Sequence, residues 1–275
     1  MNAWFFVCAI GASFGFGVGD FFGGRASSKI PVVHVLVISE LFGALMFWLL
    51  AQYTQEADLP TNLVGLAVLT GVTGAVGLAA LYNGIARGHT AVTAPVAAAL
   101  SAIIPVCYGI TTTGFPSTMA IIGMTVGIVA IVLNSLSGKT TGYQGLWQGL
   151  AAGVTFGIFL ILLKFLGGNG VFAPLAVMRA GALVVTIPWL LIRRGGIPSA
   201  AGVGLAMAAG AFDLSANAAY MISTQLGRLD IASVLASLYP AVTVLLAFFV
   251  NREPINTLQR VGLVTTLIAT ALIAL

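Results

Sequence analysis

Charge is what this chain has least of. Its 275 residues include only 11 Lys and Arg, 7 Asp and Glu, and 2 His, while 59% are hydrophobic. No Asp, Glu, Lys or Arg occurs between Arg87 and Lys139. A water-soluble chain of this length needs a polar surface, and this composition cannot supply one. Lipid must cover most of the outside, so the sequence describes a polytopic membrane protein. Cysteine is scarce too. Cys8 and Cys107 both fall inside apolar segments, and they read as small buried hydrophobes rather than a disulfide or a metal pair. No Cys/His cluster has zinc spacing, and no Gly-x-x-x-x-Gly-Lys-Ser/Thr phosphate loop occurs, so no cofactor or nucleotide is indicated. The N-terminus lacks a basic stretch and a small-residue cleavage site, so its first segment is expected to remain a helix. The net charge of +4 is spread over short loops, which argues against a nucleic-acid partner.

What is present is apolar sequence in lengths that match a bilayer. A spanning helix needs about 20 apolar residues. Ten such segments are read at 3–24, 31–51, 63–86, 90–112, 116–135, 143–166, 171–193, 199–226, 229–250 and 256–275. A closed β-barrel would need alternating polar and apolar residues, and runs such as Val242–Val250 do not alternate. The expected fold is therefore an all-α membrane protein.

The segments repeat. Glycine recurs at every fourth position as Gly11, Gly15, Gly19 and Gly23, and again as Gly145, Gly149, Gly153 and Gly157. Further along, a constant offset aligns Gly71 with Gly210, Gly88 with Gly227, Val92 with Ile231 and Gly123 with Gly262. Residues 1–138 and 143–275 thus read as two copies of a five-helix unit, joined near Ser137-Gly138-Lys139. Five is odd, so the second copy enters the membrane from the side opposite to the first. The expected arrangement is a 5+5 inverted repeat, in which one site between the halves can open to either side. Small residues at this spacing let helix backbones approach closely, within one chain or between two copies in a homodimer. Pro95, Pro105 and Pro240 lie inside the fourth and ninth segments and are candidate kinks.

Loops after odd-numbered segments carry Arg25, Lys29, Arg87, Lys139, Arg193, Arg194 and Arg252, with Arg260 nearby. Those after even-numbered segments carry Lys164 and Arg228, besides the acidic pair Glu56 and Asp58. The positive-inside rule then puts the odd loops in the cytoplasm and both termini outside. Trp4, Trp48, Trp147 and Trp189 sit towards segment ends and read as interface anchors.

Function is sought at the charges inside the spans. These are read as Asp20, Glu40, Lys164, Arg179 and Asp213, with Asp20 and Lys164 near enough to the ends to reach the interface. A carboxylate at mid-membrane costs several kcal/mol unless paired, hydrated or protonated, roughly as for any buried charge. Glu40 or Asp213 either lines an aqueous cavity, holding substrate or a coupling proton, or pairs with Arg179 as a structural clamp between the second, seventh and eighth helices. Asp213, Asn217 and Tyr220 share one face of the eighth helix and form a polar stripe. The aligned stretch of the third helix has Gly74, Leu78 and Leu81, with Tyr82 and Asn83 just beyond.

The stretch Ser233-Val234-Leu235-Ala236-Ser237-Leu238-Tyr239-Pro240-Ala241-Val242-Thr243-Val244, followed by Arg252-Glu253-Pro254 and Gln259-Arg260-Val261-Gly262, resembles the EamA-type permeases of the drug/metabolite transporter superfamily. Gly15–Gly24 and Asp213-Leu214-Ser215-Ala216-Asn217 resemble a branch of them. The resemblance implies two five-helix halves around a central cavity and transport of small metabolites across the cytoplasmic membrane. Where the family often has a Glu in the first half, this chain has Thr113-Gly114-Phe115-Pro116. Glu253 reads as a turn residue before the tenth helix. The leading expectation is a secondary carrier for a small polar metabolite such as an amino acid, working by alternating access, with protons as an optional coupling ion. The alternatives are a facilitator or uptake carrier for sugars or drugs, and a lipid scramblase. An intramembrane enzyme is disfavoured, because His34 and His89 sit beside no nucleophile motif.

Overall fold

Ten apolar segments become ten spans of helix in the computed structural model, which describes residues 2–136, 143–193, 198–252 and 254–275. The helices are α1 (Ala3–Ser27), α2 (Val32–Tyr53), α3 (Thr61–Ala86), α4 (Thr90–Thr113), α5 (Thr118–Ser135), α6 (Leu146–Leu166), α7 (Phe172–Arg193), α8 (Ala200–Leu226), α9 (Leu229–Ser237), α10 (Tyr239–Asn251) and α11 (Thr257–Ala274). The ninth span is α9 and α10 together. The expected repeat junction at 137–139, with Lys139, and the charges Arg194 and Glu253 lie outside the described residues.

Local chemistry sets the helix ends. Asn2, Ser117 and Ser199 cap α1, α5 and α8 through their side-chain oxygens, and Asn256 with Gln259 forms a capping box on α11. Within the spans, hydroxyls fold back on their own helix. Thr70 donates to the Leu66 carbonyl at 2.7 Å and Thr155 to that of Ala151 at 2.7 Å. Such bonds remove donors that lipid cannot satisfy. Large apolar side chains point outward where water would reject them: Phe14, Leu45, Leu69, Val184 and Leu267 are all more than half exposed.

The packing follows a twofold pattern. Helix α2 lies against α7, α4 against the ninth span, and α5 against α11. Each of these pairs joins a helix to its own counterpart in the other half. Likewise α1 packs along α8 as α6 packs along α3, and α3 along α7 as α8 along α2. The ten spans are a 5+5 inverted repeat, with α11 at the periphery.

The glycine rows act in packing. A methyl group on Gly149 or Gly153 would collide with Val96 or Leu100 of α4, and one on Gly15 would collide with Ala216 of α8. Gly11 faces open space. The prolines divide. Helix α4 runs unbroken through Pro95 and Pro105. Its counterpart stops at Leu238 and restarts with Pro240 in the first turn of α10, where a missing N–H costs nothing. Pro188 lies inside α7, a third proline-bearing helix beyond the two expected.

Candidate functional site

The centre of the molecule is held by one guanidinium. Arg179 on α7 donates from Nη1 to Glu40 Oε2 on α2 at 3.0 Å, with both side chains at most 4% exposed. Its Nη2 donates to Asp213 Oδ2 on α8. A single planar fork therefore ties three helices, which a lysine could not do with two fixed directions. Gly43 makes the room: a methyl group there would crowd Arg179 Cδ at 3.3 Å and Nε at 3.4 Å.

The position of this pair is a property of the repeat. Gly71 of α3 is pressed against the Met178 carbonyl, and its counterpart Gly210 of α8 against the backbone of Ser39. One offset along the sequence relates Gly71 to Gly210, Ser39 to Met178, and the next residues, Glu40, to Arg179. Glu40 and Arg179 are thus the same position in the two halves. Counterparts that touch must lie at the pseudo-twofold axis.

Around the pair, Asn217 is 1% exposed and donates from Nδ2 to the Asp213 carbonyl at 2.6 Å and to Asp213 Oδ2 at 3.1 Å, which fixes the acid's orientation. Tyr220 departs from the expected stripe. It is fully buried, and its hydroxyl meets Ser233 Oγ at 2.7 Å and donates to the Leu160 carbonyl at 3.3 Å, joining α8 to α6 and α9. Two turns beyond Asp213, the helix has carried it into packed protein.

A cavity of about 70 Å³ opens beside the ion pair. Helix α1 contributes Phe16 and Asp20, α3 contributes Gly71, Gly74 and Leu78, and α6 contributes Phe156, Phe159 and Leu160. Glu40, Arg179 and Asp213 reach it from α2, α7 and α8, while Ser101 of α4 and Ser237 of the ninth span face each other at 3.4 Å. Asn217, Tyr220, Tyr82 and Asn83 are not among the lining residues. Tyr82 is buried with its hydroxyl against Gly23, and Asn83 Nδ2 donates back to the Ala79 carbonyl at 2.6 Å. The structure thus gathers Asp20, Glu40, Arg179 and Asp213 and leaves the others behind them.

Asp20 and Tyr239 belong to two spaces at once. They also line a wider vestibule of about 520 Å³, bordered by Ile85, Asn134, Ala247, Asn256 and Gln259. Those residues sit where α3, α5 and α10 end and α11 begins, on the face that carries Arg25, Arg87 and Arg252. The route from the central cavity therefore leads to the arginine-bearing face past Asp20.

The opposite face is latched. Glu56 accepts from the backbone N–H groups of Val171, Phe172 and Ala173 at 2.7–3.0 Å, so the loop after α2 caps the start of α7. Arg228 donates to the Gly114 carbonyl at 2.5 Å and to Asp230, which is fully buried at the start of α9. The degenerate turn Thr113–Pro116 is compensated in this way: a cation from the α8–α9 loop satisfies the C-terminal carbonyls of α4.

Other sequence expectations need correcting or completing. Cys107 is exposed on the outer surface rather than buried. Trp4, Trp48 and Trp147 are exposed at span ends, but Trp189 is partly buried against a core cluster around Leu36 and Leu81. Asp230 is a charge within a span that the reading passed over. Its signal was present, as an acid one residue into an apolar run. Ser101, Ser237 and Tyr239 were also missed, since a lone hydroxyl in an apolar helix carries no mark of what it faces.

Residues 144–275 match the model of the EamA-like transporter family. Curated proteins yield no match to this chain. A solved structure titled "Crystal structure of protein" is similar in fold, with a TM-score of 0.79 and 11% sequence identity over 99% of this chain and 96% of that one. At that identity the likeness speaks for the fold alone.

Proposed function

We propose, from the match of residues 144–275 to the EamA-like transporter family, that the chain is a secondary carrier moving a small polar metabolite across the cytoplasmic membrane by alternating access. The family is one of transporters rather than enzymes. The observation that carries the reading is the place of the Glu40–Arg179 pair. A charged contact between counterpart residues sits where two inverted halves can rock about it, beside a cavity that both halves line. The latches of Glu56 and Arg228 hold one face shut, and the vestibule leads to the other, which the positive-inside rule assigns to the cytoplasm. Exchange of the two faces requires the latches to open and the vestibule to close. Asp20, Glu40 and Asp213 give the carrier places to hold substrate or a coupling proton.

The test is counterflow of labelled metabolites, amino acids first, in liposomes holding the purified protein. Exchange that saturates and is lost in Glu40→Gln and Asp213→Asn supports the reading. Exchange that survives both substitutions, with its pH dependence unchanged, contradicts the role given to these acids.

A further inference from the structure

One ordered arginine stands without an anion. Arg179 is bound by Glu40 and Asp213, and Arg228 donates to Asp230 and to the carbonyls of Thr113 and Gly114. Arg25, in the last turn of α1, has no acid partner among the described residues, and no described Asp or Glu lies at a helix end or in a loop of its face. It is nevertheless held in place. Its guanidinium stands over the Phe21 ring, 5.5 Å from the centroid, and Nη1 donates to Asn251 Oδ1 of α10 at 3.0 Å. That is the one hydrogen bond of Arg25 among the described residues, so most of the five donors of its fork are unused.

A second feature is independent of the first. Asn251 is followed by Arg252, the C-cap of α10, whose backbone is left-handed with φ 57° and ψ 31°. Glycine takes that conformation at the least cost and is the usual residue there. Here the position holds an exposed arginine, next to the residue that holds Arg25. A cation at a helix end favours the dipole, but that needs neither a ring beneath it nor a left-handed backbone. The surroundings belong to the lipid boundary: Phe249 and Val250, in the last turn of α10, are 72% and 54% exposed. On its other side the seam walls the vestibule, where Thr243, Val244 and Ala247 line the space and Thr243 donates to the Gly17 carbonyl of α1 at 3.0 Å.

We propose that the seam between the ends of α1 and α10 binds the phosphate headgroup of an anionic phospholipid. Arg25 offers a planar fork, already oriented, that matches two phosphate oxygens, and Arg252 supplies a second cation. The acyl chains run along the exposed apolar side of α10. The bound lipid braces the two helices that form this wall of the vestibule. A free phosphate shares the headgroup's chemistry but makes no use of the apolar surface beside it.

The test is native mass spectrometry of the full chain, released from detergent micelles after titration with lipid, which counts the lipids retained. Phosphatidylglycerol is expected to be held roughly tenfold more tightly than phosphatidylcholine with the same acyl chains. The double variant Arg25→Gln, Arg252→Gln should erase that preference. Arg260→Gln, which removes an exposed cation of α11 on the same face, should leave it intact. Unfolding temperatures confirm that the variants are folded. No preference for phosphatidylglycerol, a preference that survives the double variant, or an equal loss in Arg260→Gln overturns the inference. Inorganic phosphate that displaces the lipid at equal concentration would make a soluble anion the occupant and overturns it as well. Lipid retention is read without transport, so its absence removes this site and leaves the carrier reading standing.

Discussion

At one position on the second helix of each half, the halves carry opposite charges: Glu40 on α2 and Arg179 on α7. One helix later the comparison is less even. The first half has Gly74 where the second has Asp213, and Leu81 where the second has Tyr220. The shared backbone plan places counterparts in contact at the axis. The side chains then make that contact directional, with an acid donated by one half and a base plus a second acid by the other. A symmetric frame carrying an asymmetric site keeps the two open states related in shape but unequal in charge environment. The ninth span shows the same division. Helix α4 is continuous, while α9 and α10 part at Leu238 beside the cavity.

The largest effect is expected from breaking the axial contact. Arg179→Met leaves Glu40 buried and alone, and should cost about 3–5 kcal/mol of stability. Unfolding of the purified protein in denaturant measures it. The double variant Glu40→Met, Arg179→Met should recover part of the loss, because Glu40 no longer stays as a buried lone charge, while the partly exposed Asp213 still lacks its cation. A double variant as unstable as the single one would mean that the two counterparts do not form one unit.

Removing the acid that only the second half possesses should do less. Asp213→Asn is expected to cost about 1.5–3 kcal/mol, since the group is partly exposed and its loss leaves Arg179 one acid. The rate of exchange should fall more than stability does, which is checked by measuring both on one preparation.

The glycine rows sharpen the comparison in packing. Gly153→Ala should cost about 1–3 kcal/mol, because the added methyl meets Leu100 Cβ at 2.6 Å. Gly11→Ala, in the glycine row of the first half, faces open space and should be neutral or stabilise by up to about 1 kcal/mol through helix propensity. Equal effects on the unfolding midpoint would show that the rows pack alike. Tyr220→Phe is expected to cost about 1 kcal/mol of stability for the lost hydroxyl contacts, with no change in exchange rate.

The architecture was legible because lipid imposes so few options. Charge scarcity, span lengths and the odd-numbered repeat led to the 5+5 arrangement, and mid-membrane charges led to Glu40, Arg179 and Asp213. The rest depends on rotation and register. Asn217 follows Asp213 by four residues and stays beside it, whereas Tyr220 follows by seven and turns into the contact between α6 and α9. Glu56 read as a loop acid because nothing in its neighbourhood announces that the start of α7 lies within reach. That Glu40 and Arg179 are counterparts was written in the offset, but the offset gains meaning only once α2 and α7 are seen to touch. Of the three candidate kinks, only Pro240 marks a break, at Leu238, and nothing in the sequence separates it from Pro95 and Pro105, which α4 accommodates.

The central claim is that the acid-lined hollow between the inverted halves is wet and reachable from both sides of the membrane. The most direct measurement places a thiol in it. In a chain with Cys8 and Cys107 replaced by alanine, Leu78→Cys is exposed to a membrane-impermeant thiol reagent, applied from one side and then from the other in oriented liposomes. Labelling from either side, slowed by a bound solute, is the expected result. Labelling from neither side, or from one side alone under every condition, would contradict the claim.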